Sequence, residues 1–157
     1  MPLTIDVPGW QTLNLAHLVL DVNGTIALDG ELMAGVGDRL VGLQRLLQVH
    51  LVSADTRGTL DALAGELGLR AQRLTQGLEA EQKAQFVQSL GAAQVVAIGN
   101  GANDVAMLQT AALGIAVLGP EGMATAALTA ADVLVASIQD ALDLLAEPRR
   151  LVATLRR

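Results

Sequence analysis

The chain has 157 residues, a length typical of one domain, and its formal net charge of −6 argues against nucleic acids and anionic membranes as partners. The absence of cysteine excludes disulfides, thiolate metal sites and a cysteine nucleophile. No apolar run approaches the roughly 18 residues of a membrane span, and the first residues do not resemble a secretory signal, so a cytoplasmic protein is expected.

Short apolar runs alternate with helical patterns along the chain. The first segment, residues 1–14, departs from this alternation and is expected to add an edge strand or a hairpin. The apolar runs that follow are predicted to be strands, most of them too uniformly apolar to be half exposed, and therefore buried on both faces of a sheet. They cover residues 18–22, 49–53, 71–74, 95–98, 113–117 and 133–135.

Between these runs, apolar residues recur at helical spacing over residues 36–47, 60–67 and 80–90, which predicts amphipathic helices. Ser137 and Asp140 form a capping-box pair that predicts the start of a further helix. The alternation predicts an α/β fold over residues 1–157 as a single domain. Its architecture is expected to be a three-layer, Rossmann-like, doubly wound and mostly parallel sheet.

Two local patterns add to this outline. Asp29 and Gly30, flanked by β-prone residues, predict a small hairpin within residues 25–33, immediately after the first core strand. Near the C-terminus, four arginines are expected to form a solvated helix end whose charges suit the helix dipole, with anion binding as the alternative. They are Arg149, Arg150, Arg156 and Arg157.

Polar side chains follow three of the predicted strands. In wound sheets, ligands bind beyond the carboxyl ends of the strands, so these loops should converge on one crevice that the long side chain of Lys83 could also reach. The side chains are Asp21 and Asn23 after the first strand, Ser53 and Asp55 after the second, and Asn100, Asn103 and Asp104 after the fourth. Carboxylates, amides, a hydroxyl and an ammonium together favour a site for a phosphate and a divalent metal.

Each of these features also has a simpler interpretation. Asp and Asn beside Gly form turns after many strands, Ser53 could cap a helix, and Lys83 alone could be a solvated surface lysine. Residues 99–104, with the sequence GNGAND, lack the third glycine of a dinucleotide-binding fingerprint, and the glycine of DVNGT comes too early for a calcium loop. His17 and His50 stand alone, which argues against zinc and against a hydrolase triad.

The order and spacing of the polar groups resemble the haloacid dehalogenase superfamily. Its first motif, Asp-x-Asp-Gly-Thr, is similar to DVNGT at residues 21–25, and its second, a Ser or Thr that ends an apolar strand, is similar to Ser53. Its third motif is a lysine, matched by Lys83, and its fourth, Gly-Asp-Gly-x-Asn-Asp, is similar to residues 99–104. The resemblance spans about residues 18–145.

Within this superfamily the chain looks most like the phosphorylation domain of P-type ATPases. SADT, GNGANDVAML and LGIAVLGPEGMATAALTAADVLV are similar to segments of that domain. The intervals from Asp21 to Ser53 and from Ser53 to Lys83 leave no room for a cap domain or a nucleotide-binding insertion. The resemblance therefore implies a capless HAD-like fold with a β-hairpin flap after the first core strand.

The resemblance also implies a magnesium-dependent phosphatase. Asp21 would form an aspartyl phosphate, with Asn23 and Lys83 as the other catalytic residues and Mg²⁺ as the cofactor. The implied metal ligands are Asp21, Asn23 through its main-chain carbonyl, Asn100 and Asp104. The implied phosphate-binding residues are Asn23, Gly24, Thr25, Ser53, Ala54, Lys83 and Asn103.

Asn23 and Asn100 depart from the family pattern, which has aspartate at both positions. An amide cannot shuttle a proton, so substrates with good leaving groups are expected to react fastest, and the charge missing at Asn100 predicts weaker metal binding. The alternatives are a weakly active or inactive protein that binds phosphate or regulates a partner, and an unrelated wound-sheet binding module. A phosphorylated substrate is expected, without nucleic-acid or membrane partners, and the high apolar content is compatible with a homo-oligomer.

Overall fold

The computed structural model of the chain describes residues 2–55 and 58–157. The strands are β1 (Leu3–Asp6), β2 (Thr12–Leu15), β3 (His17–Asp21), β4 (Ala27–Leu28), β5 (Glu31–Leu32), β6 (Gln48–Ser53), β7 (Arg70–Arg73), β8 (Val95–Gly99), β9 (Leu113–Val117) and β10 (Val133–Val135). The α-helices are α1 (Val36–Leu43), α2 (Thr59–Leu67), α3 (Glu79–Ser89), α4 (Val105–Thr110), α5 (Thr125–Ala130), α6 (Ile138–Ala146) and α7 (Pro148–Leu155). Within these described residues, no helix has the length and apolar character needed to cross a membrane.

Six of the strands form one parallel sheet in the order β10-β9-β8-β3-β6-β7. They are the six strands predicted from the apolar runs, and their ends agree with the prediction to within one residue. From β3 the chain moves outward to β6 and β7, and it then returns to the other side of β3 to form β8, β9 and β10. The strand order therefore reverses between β3 and β8, which is where such sheets form ligand crevices.

Helices cover both faces of this sheet. Leu18 and Leu20 of β3 point to one face, where they join an aliphatic core that includes side chains of α1, α2, α6 and α7. Val19 points to the other face and packs with side chains of α3, α4 and α5. Successive strand residues point to opposite faces, so a strand that is apolar at every position is buried on both. The predicted three-layer α/β fold is confirmed.

The structure decides one alternative and corrects two expectations. β1 and β2 pair with each other as a separate antiparallel hairpin and do not extend the main sheet, while Met1 lies outside the described residues. β7 differs from the buried strands, because it lies at the edge of the sheet and all of its residues are exposed. Arg149 and Arg150 stand in the first turn of α7, where the helix dipole disfavours cations, and not at a helix end that suits them.

A second hairpin, formed by β4 and β5, follows β3 as predicted. Its turn consists of Asp29 and Gly30, with φ angles of 52° and 84°. Positive φ at both turn residues gives a backbone twist that matches the twist of the paired strands, which explains the Asp-Gly pair at this point. A bridge between Asn23 and Ala27 attaches the hairpin to the loop at the carboxyl end of β3.

Candidate active site

The carboxyl ends of β3, β6 and β8 open into a pocket of about 490 Å³. Predicted site residues from all three strand ends line this pocket, and the side chain of Lys83 reaches it from α3. The predicted residues found in the lining are Asp21, Asn23, Ser53, Ala54, Asp55, Lys83, Asn100 and Asn103. The structure thus brings three loops that are distant in sequence to one crevice.

Lys83 connects the bottom of the pocket to the residues behind it. Its Nζ lies 2.9 Å from Asp21 Oδ1 and 2.8 Å from Asp104 Oδ1. The side chain is only 2% exposed, since α3 packs on the sheet and directs the long apolar stem of the lysine inward. Lys83 is therefore a buried cation between two carboxylates and not a solvated surface residue.

Asp104 supports the site from behind and does not line the pocket. Its Oδ2 accepts the backbone N–H groups of Asn100 and Gly101, both at 3.0 Å, and its Oδ1 accepts from Lys83. Gly99 makes room for this carboxylate, because a Cβ at that position would lie 2.5 Å from Asp104 Cγ. Both oxygens of Asp104 are thus used to hold the lysine and the loop after β8.

The three buried charges of Asp21, Lys83 and Asp104 sum to one excess negative charge. Burial raises the pKa of Asp21 to about 6, and the Asp104 carboxylate adds to this rise, whereas Lys83 and Thr25 act against it. Burial by itself lowers the pKa of Lys83, but the two carboxylates outweigh burial and hold that pKa above its usual value. Lys83 is therefore charged, and the bottom of the pocket favours a further cation or a proton near Asp21.

Thr25 links Asp21 to the loop after β8. Its Oγ1 lies 3.0 Å from Asp21 Oδ2 and 3.1 Å from Asn100 Oδ1, and its single proton can be donated to only one of them at a time. Asn100 Nδ2 faces the carbonyl oxygens of Gly24 and Gly122, at 3.4 and 3.2 Å, so the amide oxygen is the atom that faces Thr25. Thr25 is buried outside the pocket lining, which gives it a supporting position behind Asp21.

The other predicted phosphate-binding groups differ in how they are used. The Gly24 N–H donates to the Ala27 carbonyl at 2.7 Å and is therefore occupied within its turn. The Asn103 amide donates to a glutamate of α3 at 3.1 Å. Ser53 Oγ accepts the Asp55 N–H at 3.0 Å, and since a hydroxyl both accepts and donates, the Ser53 proton can still be donated into the pocket.

Two glutamates that were not predicted also line the pocket. Glu79, the first residue of α3, accepts the hydrogen bond from Asn103. Glu121 lies in the loop after β9, close enough to the Asn23–Gly24 turn that a Cβ added at Gly24 would collide with its Oε2. A sequence signal for Glu121 exists, because β9 ends at the same edge of the sheet as β8 and a carboxylate follows it four residues later.

The prediction that His17 and His50 stand alone is wrong. They lie on the neighbouring strands β3 and β6, where His17 Nδ1 is 3.2 Å from His50 Nε2 and Phe86 packs edge-on against His50. Burial, together with the nearby His17 ring and Arg70, lowers the pKa of His50 to about 4. The pair belongs to the packing of the sheet against α3.

The oxygen atoms of the pocket suit a hard cation. In the described part of the chain, no group of three His, Cys, Asp or Glu side chains is placed to hold a metal, so an ion here would depend on Asp21, neutral oxygens and water. Mg²⁺ is commonly bound in this manner, through one or two carboxylates with waters and the phosphates of a substrate. Asn23 and Asn100 line the same pocket and offer carbonyl oxygens, and the excess negative charge at its bottom favours a cation.

Known proteins resemble this chain in part of its sequence and in its fold. A family profile described as haloacid dehalogenase-like hydrolase matches residues 82–137, which include Lys83 and the loop after β8. The uncharacterised protein MJ0073 of Methanocaldococcus jannaschii is 48% identical over 63 residues, which are 40% of this chain and 68% of that protein.

Two larger or better described proteins extend these similarities. Human phospholipid-transporting ATPase ID is 32% identical over 135 residues, which are 68% of this chain but only 11% of the transporter. The structure of 3-deoxy-D-manno-octulosonate 8-phosphate phosphatase from Moraxella catarrhalis, in complex with magnesium, phosphate and its KDO molecule, is 17% identical with a TM-score of 0.67. That match covers 90% of this chain and 94% of the phosphatase, and at this identity it shows a common fold.

Proposed function

This chain belongs to the haloacid dehalogenase-like hydrolases, and we propose that it is a magnesium-dependent phosphatase whose nucleophile is Asp21. The observation that supports this proposal most is the buried Lys83, whose Nζ is within hydrogen-bond distance of both Asp21 and Asp104. The lysine fixes the position of the Asp21 carboxylate at the bottom of the pocket. It also offsets part of the negative charge that would otherwise repel a phosphate from that carboxylate.

The proposed reaction has two steps. In the first, an oxygen of Asp21 attacks the phosphorus atom, the bond from phosphorus to the leaving group breaks, and an aspartyl phosphate forms. In the second, water attacks the same phosphorus, the bond from phosphorus to Asp21 breaks, and phosphate is released. Lys83 and the hydroxyl of Ser53 donate hydrogen bonds to the transferring oxygens, and the amide of Asn23 holds the substrate without moving a proton.

We propose that Mg²⁺ is held by the Asp21 side chain, the main-chain carbonyl of Asn23 and the side-chain oxygen of Asn100. When bound, the ion supplies positive charge that offsets the charges of the phosphate and the carboxylate. We assign Asp104 to positioning and not to metal binding, because it lies outside the pocket lining, where its oxygens hold Lys83 and two backbone N–H groups. The phosphate contacts proposed for the pocket are those of Asn23, Ser53, Ala54, Lys83 and Asn103, while Gly24 and Thr25 support the turn.

The pocket favours phosphoryl groups that protrude from a substrate. Between Asp21 and the start of β6, a stretch that the structure describes completely, the chain forms the β4–β5 hairpin and α1, which supports a pocket without a cap domain on this side. A substrate of some size can therefore bring its phosphate to Asp21. Since Asn23 cannot protonate a leaving group, acyl and aryl phosphates should react faster than alkyl phosphates.

Hydrolysis by purified protein tests this proposal. Acetyl phosphate, p-nitrophenyl phosphate and glucose 6-phosphate are compared with and without Mg²⁺, and we expect Mg²⁺-dependent turnover that is slowest on the sugar phosphate. Asp21→Asn should abolish turnover, whereas Asp38→Asn, a change at an exposed aspartate of α1, should keep the wild-type rate. Faster hydrolysis of glucose 6-phosphate, or full activity of Asp21→Asn, contradicts the proposal.

The amides of Asn23 and Asn100 favour one other candidate, a weakly active or inactive protein that binds phosphate or regulates a partner. Beryllofluoride, which mimics a phosphoryl group on a carboxylate, separates the two possibilities in a thermal denaturation experiment with Mg²⁺. A working nucleophile predicts a rise in the Tm of the wild type that Asp21→Asn does not show. A protein that only binds phosphate predicts a rise with inorganic phosphate and none that depends on Asp21.

A further inference from the structure

Glu121 is a carboxylate at the pocket that the two-step reaction above does not use. It lies in the connection between β9 and α5 and lines the pocket together with Asp21, Asn23 and Lys83. It also lines a second pocket on the outer side of the Asn23–Gly24 turn. Glu121 therefore stands at the rim where water or a substrate passes the nucleophile loop.

The position of Glu121 is fixed by its neighbours in the chain. The Gly122 carbonyl accepts from Asn100 Nδ2 at 3.2 Å, and the Ala124 N–H donates to the Asn100 carbonyl at 2.9 Å, so this connection is tied to the loop after β8. On its other side, Oε2 of Glu121 lies against Gly24, where an added Cβ would collide with it. The same Cβ would lie 3.3 Å from Asn100 Nδ2, so the carboxylate approaches the turn beside the Asn100 amide.

The remaining carboxylates around the pocket have other partners. Asp55 Oδ2 accepts a hydrogen bond from the Leu60 N–H at 3.2 Å. Glu79 accepts a hydrogen bond from the Asn103 amide at 3.1 Å. Glu121 makes no hydrogen bond or ion pair with the residues that the structure describes. Its lone pairs are therefore open to water at the pocket rim.

We propose that Glu121 is the general base of the second step, an inference that rests on the proposed function. The Glu121 carboxylate accepts a proton from the water whose oxygen forms the new bond to phosphorus. The bond between phosphorus and Asp21 breaks at the same time, and its electron pair returns to the Asp21 carboxylate. After phosphate leaves, Glu121 returns its proton to solvent.

With this assignment, Glu121 supplies the proton acceptor of the pocket, a role that Asn23 cannot fill. A neutral amide has no basic atom for a proton, whereas carboxylates in contact with water are ionised at neutral pH and accept one. In this assignment Glu121 acts only as a proton acceptor and has no part in the first step. The first step should therefore depend on the leaving group, and only the second should depend on Glu121.

Separate measurement of the two steps tests the inference on the full chain. Wild type and Glu121→Gln are mixed with acetyl phosphate and Mg²⁺, and the reactions are quenched in acid at short times. Intact-protein mass spectrometry then measures the phosphorylated fraction of each protein. The released phosphate is measured in parallel. We expect unchanged formation of the phosphorylated enzyme in Glu121→Gln and hydrolysis slowed by about 10²- to 10⁴-fold, so that the phosphorylated form accumulates. Adding Asn23→Asp to Glu121→Gln should restore much of the hydrolysis.

The matched control is Glu31→Gln, a change at an exposed glutamate of β5 outside the pocket lining, which should behave like wild type. Hydrolysis of the phosphorylated enzyme at the wild-type rate in Glu121→Gln overturns this inference alone. An increase in the Mg²⁺ concentration needed for phosphorylation of Glu121→Gln also overturns it, since that result makes Glu121 part of the metal site. If the wild type is never phosphorylated, the proposed function fails and this inference fails with it.

Discussion

Replacing Asp21 by asparagine should remove the proposed nucleophile and at the same time stabilise the fold. The pKa of Asp21 is raised from 3.8 to about 6, first because burial disfavours the charged carboxylate and second because Asp104 repels it. For an acid whose pKa is raised in the folded state, stability is greatest below the unfolded-state pKa and is lost as the pH rises through the folded-state value. At pH 8, the wild type is therefore destabilised by the charge on Asp21.

The magnitude follows from the rise in pKa from 3.8 to about 6. Each pKa unit corresponds to about 1.4 kcal/mol, which sets an upper limit of about 3 kcal/mol. The amide can keep the hydrogen bonds, because its oxygen accepts from Lys83 and its nitrogen donates to Thr25, whose hydroxyl then donates to Asn100 Oδ1 at 3.1 Å. We expect Asp21→Asn to raise the free energy of unfolding at pH 8 by about 1–3 kcal/mol.

Urea denaturation followed by circular dichroism, in EDTA at pH 8 and at pH 4, measures this difference. The gain should be present at pH 8 and nearly absent at pH 4, where most of the wild-type carboxylate is protonated in the folded state. Asp38→Asn is the control, and its effect should stay within about 0.5 kcal/mol at both pH values. A variant that is less stable than wild type at pH 8, or a gain of equal size at both pH values, refutes the reasoning.

Three further predictions concern the residues behind the pocket and the histidine pair. Asp104→Asn should lower the free energy of unfolding by about 1–3 kcal/mol, because an amide has only one oxygen and would turn an N–H donor toward either Lys83 or the two backbone N–H groups; an unchanged free energy of unfolding in urea would contradict this. Gly99→Ala should also destabilise the fold, since its Cβ would lie 2.5 Å from Asp104 Cγ, and an unchanged Tm would show that the carboxylate can move aside. Burial and His17 lower the pKa of His50 from 6.5 in the unfolded chain to about 4 in the folded protein. As the pH drops from 6.5 to 4, His50 therefore takes up a proton in the unfolded chain first, and the free energy of unfolding falls. In a series of Tm measurements over that range, His50→Gln should reduce this fall, and an identical slope would contradict the role of the pair.

The sheet and the place of the site could be predicted because their sequence signals are local. An apolar run and the polar residue that ends it are close in the sequence, and Asp21 directly after Leu18–Leu20 is an example. Parallel strands then bring these polar residues to the same edge of the sheet. Sheet order is not local, and for this reason β7 was not recognised as an exposed edge strand. The histidine pair depends on sheet order in the same way, since the parallel register of β3 and β6 pairs His17 with Gln48 and so puts His50, two residues further on, on the same face as His17.

The roles of single side chains at the site depended on contacts that no spacing encodes. The burial of Lys83 follows from the way α3 packs on β3 and β8, and a lysine stem on an amphipathic helix is equally compatible with solvent. The sequence motif that contains Asp104 does not predict the orientation of the Asp104 carboxylate. In the structure, both carboxylate oxygens accept hydrogen bonds, one from Lys83 and the other from two backbone N–H groups. Glu121 follows β9 as other polar residues follow β3, β6 and β8, but its place at the pocket becomes clear only when β9 is known to lie beside β8.

The charges of the site suit the proposed division of the catalytic parts between separate elements. Asp21 and Asp104 outnumber Lys83 by one charge at the bottom of the pocket, so an arriving phosphate meets net repulsion until a cation joins Asp21. A third carboxylate placed beside Asp21 in the buried cluster would raise the pKa of that nucleophile further and reduce its ionised fraction. At the exposed rim, where water screens charge, the carboxylate of Glu121 lines the same pocket as Asp21 without that penalty on the pKa of Asp21. Electrostatics therefore favours the proposed division between a buried ion cluster and an exposed base, and this division fits the amide that the chain carries at position 23.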